Sequence, residues 1–228
     1  NERAINPKPN NLTFEQAAAF HTAYLTAYVS LVRRGNLVKG ETLLVHGSTG
    51  GVGMAAVQLG KYLGATVIAT GTSEEKLEFT KKWGADHTLL THKDNIVDFR
   101  NEVKDITNGK GADVIYDPVG GDVFDHSIRC INWGGRLLVV GFTSGRIPNL
   151  PINMALIKGF SVIGVRAGEY GRKDPEAGIE NNIAIRRICE EGHFSPYVCR
   201  EFDLKDAKDA IQFLSERKLV GKVVIKTN

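Results

Sequence analysis

Residues 43–57 constrain this chain more than any other stretch: Leu43-Leu44-Val45-His46-Gly47-Ser48-Thr49-Gly50-Gly51-Val52-Gly53-Met54-Ala55-Ala56-Val57. A short apolar β run enters a glycine cluster, and the cluster opens into residues 54–63, whose apolar spacing is helical. The expected unit is strand, tight turn, helix. Glycine serves where the backbone must take positive φ or where a ligand must approach without a Cβ in the way. The exposed N–H groups of the first helical turn, together with the helix dipole, make a seat for an anion, most often a pyrophosphate.

Measured against the G-x-G-x-x-G fingerprint, Ser48 stands in the first place and Gly50 and Gly53 in the second and third; Gly47 gives the variant G-x-x-G-x-x-G. A purely structural strand-to-helix turn uses the same residues, so the motif alone leaves both readings open. Two competing motifs are absent. No Lys-Ser or Lys-Thr pair follows the last glycine, as a P-loop requires, and no Tyr-x-x-x-Lys pair occurs anywhere in the sequence.

At 228 residues the chain has room for one large α/β domain, or one such domain with a fragment of another. Hydrophobic content of 42% beside 24% charged residues is that of a globular chain able to bury a core. The net charge of +3 is small and interspersed, which argues against nucleic acid or an anionic membrane as partner. Cys130, Cys189 and Cys199 lack C-x-x-C spacing and are odd in number, so a disulfide framework is not expected. A reducing compartment fits: the cytoplasm, with the mitochondrial matrix also compatible. No apolar run reaches membrane-spanning length, and Asn1-Glu2-Arg3 resembles neither a signal peptide nor an intact transit sequence.

Before the motif, residues 1–12 read as an extended polar connection with Pro7 and Pro9, and the capping box Thr13-Phe14-Glu15-Gln16 starts a helix running to Arg34-Gly35. After it, strands are expected at 42–46, 66–70, 87–90, 112–117, 136–140 and 160–165, with helices at 74–83, 96–107 and 123–131 between them. This alternation predicts an α/β fold: a doubly wound, six-stranded parallel sheet of Rossmann type, covered on both faces, with a short C-terminal helix and strand extension. The expected division is 1–35 as linker and helix, 36–166 as the dinucleotide-binding domain and 167–228 as the extension. In the extension, 168–175 reads as a loop, followed by helix 179–191, a strand at 197–202, helix 206–217 and strand 222–225. Ligands of such sheets sit at the carboxyl ends of the strands.

The end of the second expected strand selects the nucleotide. An NAD site places Asp or Glu there to bind the ribose diol and repel a 2′-phosphate. Here the sequence is Thr70-Gly71-Thr72-Ser73-Glu74-Glu75-Lys76. Thr72 and Ser73 hydroxyls with the Lys76 ammonium suit a phosphate, so NADPH is favoured; Glu74 and Glu75 keep an NAD reading open, with Lys76 then an ordinary solvated helix cation.

Together these residues resemble the medium-chain dehydrogenase/reductase superfamily, and within it the zinc-free NADPH:quinone oxidoreductase, zeta-crystallin-like branch. The matching stretches are Leu25-Thr26-Ala27-Tyr28, 40–47, Gly50-Gly51-Val52-Gly53, Lys81-Lys82-Trp83-Gly84-Ala85-Asp86, Gly134-Gly135-Arg136 and Gly221-Lys222-Val223-Val224. The resemblance implies that Ser48, Gly50, Gly51, Val52 and Gly53 hold the pyrophosphate and that Thr72, Ser73 and Lys76 hold the adenosine phosphate. It places Val119, Gly141 and Phe142 beside the nicotinamide. Thr26 matches a family threonine near the nicotinamide amide; a hydroxyl satisfied within its own helix is the alternative. Asn149 to Asn153 falls in the loop that relatives lay over the cofactor. His46 reads as a packed structural residue and Tyr24 as core, and no catalytic acid is named.

Zinc-dependent relatives carry a cysteine ligand where this chain has Thr22, so no zinc is expected. Thr91-His92 replaces a family tyrosine near the adenine. The resemblance also implies a GroES-like domain before this stretch, making the chain part of a longer protein or a naturally shortened one. The implied chemistry is hydride transfer from C4 of NADPH to a quinone or enone, with little need of acid-base machinery. Alternatives are an enoyl-thioester or alkenal reductase, or a crystallin-like protein that binds NADPH without turnover. The edge strand 160–166 is expected to pair with that of a second copy, making a homodimer.

Overall fold

Successive residues of a strand face opposite sides of a sheet, and three residues of the first strand divide the core in two. Leu43 and Val45 join one apolar cluster and Leu44 the other. All three are fully buried, in a central strand covered on both faces. The computed structural model describes residues 6–91 and 98–227.

Strands β1 (Thr42–Val45), β2 (Thr66–Gly71), β3 (His87–Leu90), β4 (Ala112–Asp117), β5 (Ile131–Val139) and β6 (Ser161–Gly164) form one parallel sheet in the order β3-β2-β1-β4-β5-β6. This is the doubly wound order, with its crevice where the chain reverses direction between β1 and β4. Helix α1 (Phe14–Tyr28) begins at the expected capping box: Thr13 Oγ1 accepts from Gln16 N and Gln16 Oε1 accepts from Thr13 N, at 3.2 and 3.0 Å. It runs on as a π-helical turn, Val29–Arg34. With α2 (Gly51–Tyr62) and α8 (Pro175–Glu190), α1 packs on Leu43, Val45, Val67 and Tyr116. The other face carries α4 (Arg100–Ile106) and α5 (Gly121–Cys130), packed on Leu44, Ile68, Ile115 and Leu137. Helix α3 (Glu74–Lys82) follows β2 and packs beside β2 and β3.

At the amino ends of the strands Arg136 ties the sheet to the segment before β1. Its guanidinium donates to both carboxylate oxygens of Glu41, at 2.8 and 2.7 Å, and to the carbonyl of Gly35 at 2.9 Å.

Beyond β6 lie α7 (Ala167–Lys173), α8, β7 (Val198–Asp203), a 3-10 turn (Leu204–Asp206), α9 (Ala207–Ser215) and β8 (Lys222–Lys226). β7 and β8 pair in parallel as a separate two-stranded sheet. That sheet is stitched to the glycine turn: Gly221 N donates to Thr49 O at 2.8 Å, and Gly50 and Gly221 form an isolated parallel bridge.

Four expectations need correction. Of residues 168–175, expected as a loop, 168–173 are helical in α7 and Pro175 already opens α8, with Asp174 alone between them. Gly171 serves packing and not a turn, because it lies against Gly178 of α8 so closely that a Cβ on Gly178 would meet Gly171 Cα at 2.9 Å. Residues 149–153, expected as loop alone, lead into α6 (Ile152–Lys158), which ends at Gly159 in the left-handed region, φ 61°. β5 begins five residues before Arg136, carried past Gly134 by a register irregularity in its pairing with β4. The last expected helix stops at Ser215, leaving Arg217 outside it with φ 55°. The expected start of helix 96–107 lies outside the described residues; within them that helix is Arg100–Ile106.

Candidate functional site

The turn after β1 is built on two requirements that a side chain cannot meet. Gly47 takes φ 56°, and a Cβ on Gly53 would overlap the Gly47 carbonyl, so the first turn of α2 can sit directly on the loop. Gly50, the N-cap, offers no side chain to the first helical turn. Among the described residues the N–H groups of Val52 and Gly53 have no hydrogen-bond partner, and the helix dipole favours an anion at this end.

Beside this turn the carboxyl ends of the strands enclose a cavity of about 620 Å³. His46 and Gly47 follow β1, Thr70 and Gly71 end β2 with Thr72 just after it, and Thr91 follows β3. From the far side come Val119 and Gly120 after β4, and Thr143 and Ser144 after β5. Such a volume suits a ligand of cofactor size.

His46 is wholly buried on the cavity floor, with Nδ1 2.9 Å from Thr70 Oγ1 and Nε2 2.8 Å from Ser127 Oγ. Ser127 spends its hydroxyl proton on Val123 O, so Nε2 carries the hydrogen and Nδ1 accepts from Thr70. Burial lowers its pKa to about 3, leaving a neutral, doubly hydrogen-bonded ring at physiological pH. This is the packed structural residue expected from the sequence.

Asp117 ends β4 and organises the other wall. Its Oδ1 accepts from Val119 N and Gly120 N, each at 2.8 Å, turning the chain so that Gly120 and Gly121 take φ 68° and 58°. The loop after β5 docks on that turn: Thr143 N donates to Pro118 O and Ser144 N to Val119 O, at 3.1 and 3.0 Å. A Cβ on Gly120 would meet the Phe142 ring at 2.9 Å. Arg146 then pairs with Asp122 at 2.7 Å and with Asp125, fastening the loop to α5. Burial raises the Asp117 pKa to about 6, against the two backbone N–H groups that favour its charged form.

Of the residues expected at the site, Thr72 and Val119 line the cavity. Gly141 and Phe142 flank it through the docked loop, and Gly50, Gly51, Val52 and Gly53 form the adjoining helix start. Ser48 turns away, its N–H and hydroxyl both donating to Thr70 O, at 3.0 and 2.8 Å. Ser73 caps α3. Lys76 extends to the C-terminal segment, where its ammonium donates to the carbonyls of Arg217 and Leu219. Thr26 is not part of the cavity wall; its hydroxyl donates to Thr22 O at 2.7 Å, within its own helix.

The family model described as zinc-binding dehydrogenase matches residues 51–181. The chain belongs to the medium-chain dehydrogenase/reductase superfamily. It is similar to the quinone oxidoreductase-like protein 2 homolog of Nematostella vectensis, 37% identical over 96% of this chain and 60% of that protein. A mycobacterial protein solved in complex with NADPH is 29% identical, with a TM-score of 0.88 over 96% of this chain and 66% of that one. An NAD-dependent alcohol dehydrogenase superposes with a TM-score of 0.84 at 35% identity, over 98% of this chain and 62% of that one. The chain thus spans less than two thirds of the length of each.

This medium-chain dehydrogenase/reductase brings two further residues to the cleft. Arg217 lines the cavity from the segment between α9 and β8, whose carbonyls at 217 and 219 accept from Lys76 of α3. Lys222, the first residue of β8, lies over Gly51, where a Cβ would overlap its aliphatic stem. Among the described residues neither cation has a side-chain hydrogen bond or ion-pair partner. In the sequence Arg217 looks like the last residue of a helix, and nothing in local periodicity predicts that a segment 170 residues beyond the glycine turn returns to it. The one available signal was Gly221-Lys222, in which Gly221, at φ 68°, lets the chain reach Thr49.

Proposed function

We propose that this chain is the cofactor-binding part of an NADPH-dependent oxidoreductase that reduces a quinone or an enone. The observation that carries the reading is the placement of two unpartnered cations along one cleft. Lys222 overlies the start of α2, suited to a pyrophosphate, and Arg217 lines the cavity that Thr72 also lines, suited to a 2′-phosphate. Among the described residues the one carboxylate that lines this cavity, Asp122, is paired with Arg146.

When bound, NADPH supplies a hydride at the nicotinamide. The residues of the chain bind and orient the nucleotide: α2 and Lys222 at the pyrophosphate, Thr72 and Arg217 at the adenosine end, and the wall of Val119, Phe142 and Thr143 at the nicotinamide end. His46 is held neutral with both nitrogens engaged, so it is not assigned a proton-transfer role. The expected partner is a second copy, paired along β6.

The test is the loss of nicotinamide absorbance when the chain, supplied with NADPH, meets a quinone, an enone and an enoyl thioester in turn. Oxidation by the quinone or the enone is the expected result. Oxidation by the thioester alone would move the substrate class, and none with any acceptor would contradict the catalytic reading.

A further inference from the structure

The chain between β5 and α6 borders the cleft, lining it with Thr143, Ser144 and Arg146, and has little apolar contact to hold it there. Residues 142–147 are all exposed, Ile147 at 69%. Against them lie Gly120 and Gly121, whose missing Cβ atoms let the segment lie flat. A Cβ on Gly121 would meet Ser144 Oγ at 2.6 Å, and one on Gly120 would meet the Arg146 carbonyl at 3.3 Å. A glycine surface allows close approach but gives no apolar grip.

Polar contacts therefore hold the segment, and they are few. Thr143 and Ser144 donate their N–H groups to the carbonyls of Pro118 and Val119, and the Thr143 hydroxyl donates to Pro118 O at 3.1 Å. Farther along, Leu150 packs on the core. Between these anchors Arg146 makes the one side-chain tie to another element among the described residues. Its guanidinium spans Asp122 and Asp125, which stand one turn apart on α5 and have no other side-chain partner among the described residues. The three side chains are between 44% and 64% exposed, so each pair contributes little by itself and is screened by salt. A tie of that strength opens and closes readily.

Two carboxylates beside an anion site leave two physical roles for Arg146: to fasten the segment, or to mask their charge. A cation on any neighbouring element could mask them. Arg146 is carried by the segment itself, so its ion pairs also draw the segment onto α5.

We infer that Arg146 is a positioning residue: spanning Asp122 and Asp125, it latches 142–147 as a strap along the cleft, and a bound nucleotide leaves when the latch opens. The ligand in this inference rests on the NADPH reading.

The experiment follows NADPH fluorescence in stopped flow on the 228-residue chain, comparing the wild type with Arg146→Met, Arg146→Lys and Arg146→Met/Asp122→Asn/Asp125→Asn. At about 0.15 M salt, Arg146→Met is expected to release NADPH about three- to tenfold faster and to bind it at a rate within about twofold of the wild type. Arg146→Lys, which keeps the charge, is expected to recover most of the slow release. The triple variant, with neither latch nor bare carboxylates, is expected to release as fast as Arg146→Met. Without nucleotide, amide exchange at 143 and 144 is expected to quicken in Arg146→Met and in the triple variant, while that of β1 and β4 stays at the wild-type rate.

Charge masking alone would show as slower, salt-sensitive association in Arg146→Met and as a triple variant restored to the wild type. That result overturns the inference while leaving the NADPH reading intact, as does an unchanged release rate in Arg146→Met, or exchange that quickens across the whole sheet. A wild-type chain that binds neither NADPH nor NADH overturns the NADPH reading itself and the inference with it.

Discussion

Asp117 holds a charge where burial disfavours it, and its geometry explains why a carboxylate is nevertheless tolerated. Two backbone N–H groups converge on Oδ1, which fixes the Gly120-Gly121 turn and, through it, the loop carrying Phe142. Because burial raises the folded pKa to about 6 from the ordinary aspartate value of 3.8, the folded state binds the proton more tightly than the unfolded chain. Stability is therefore lost as pH rises from about 4 to 6. Asn at this position keeps an oxygen for both N–H groups and removes the charge. Asp117→Asn is expected to melt near the wild type at pH 4 and to gain on it as pH rises to 7, by about 2–3 kcal/mol at most; a difference independent of pH would contradict this account. His46 has the opposite sign. Its lowered pKa means that its contribution is complete above pH 6.5 and declines as pH falls toward 3. The role of His46 was legible in the sequence, since a histidine closing an apolar β run is usually packed. Asp117 and Arg217 were not, because their roles depend on turns whose φ values no periodicity encodes.

Among the elements, those whose local pattern agrees with their packing were read correctly from sequence. The short apolar runs at 42–45, 66–71 and 112–117, buried on both faces, and the capping box at Thr13 each specify one outcome, and the structure adopts it. The misread elements, α6 and α7, bury none of their residues, so no amphipathic stripe announces them. For α6 the exposed face has a consequence. Leu156 and Ile157 of α6, Trp133 of β5 and Val162 of the edge strand β6 leave apolar surface uncovered, Leu156 being 83% and Trp133 74% exposed. β6 pairs only with β5, so its outer edge is open among the described residues. Pairing of two β6 edges would satisfy the open backbone and continue the sheet through a twofold axis. Light scattering at micromolar concentration is expected to give twice the mass of the chain, and Val162→Lys to halve it. A monomeric wild type would contradict the pairing.

At the scale of the whole molecule, the cleft is assembled from two distant parts of the sequence. The glycine turn and the strand ends supply one wall, a Rossmann arrangement that the sequence announces at residues 43–57. The opposite side is closed by residues 217–222, brought back by the β7-α9-β8 unit and joined to the turn at Thr49 and Gly50. The return contributes both free cations, and its tie to α3 through Lys76 links the phosphate end of the cleft to the C-terminal unit. Sequence reasoning found the family because motifs at both ends match it, and missed the return because contact between segments 170 residues apart leaves no local trace. The central claim is that this two-part cleft holds NADPH by its extra phosphate. The most direct measurement is the ratio of NADPH to NADH dissociation constants for the 228-residue chain at fixed salt. A ratio favouring NADPH by about tenfold or more, eroded as salt rises, is the predicted result; equal affinities, or a preference for NADH, would contradict it.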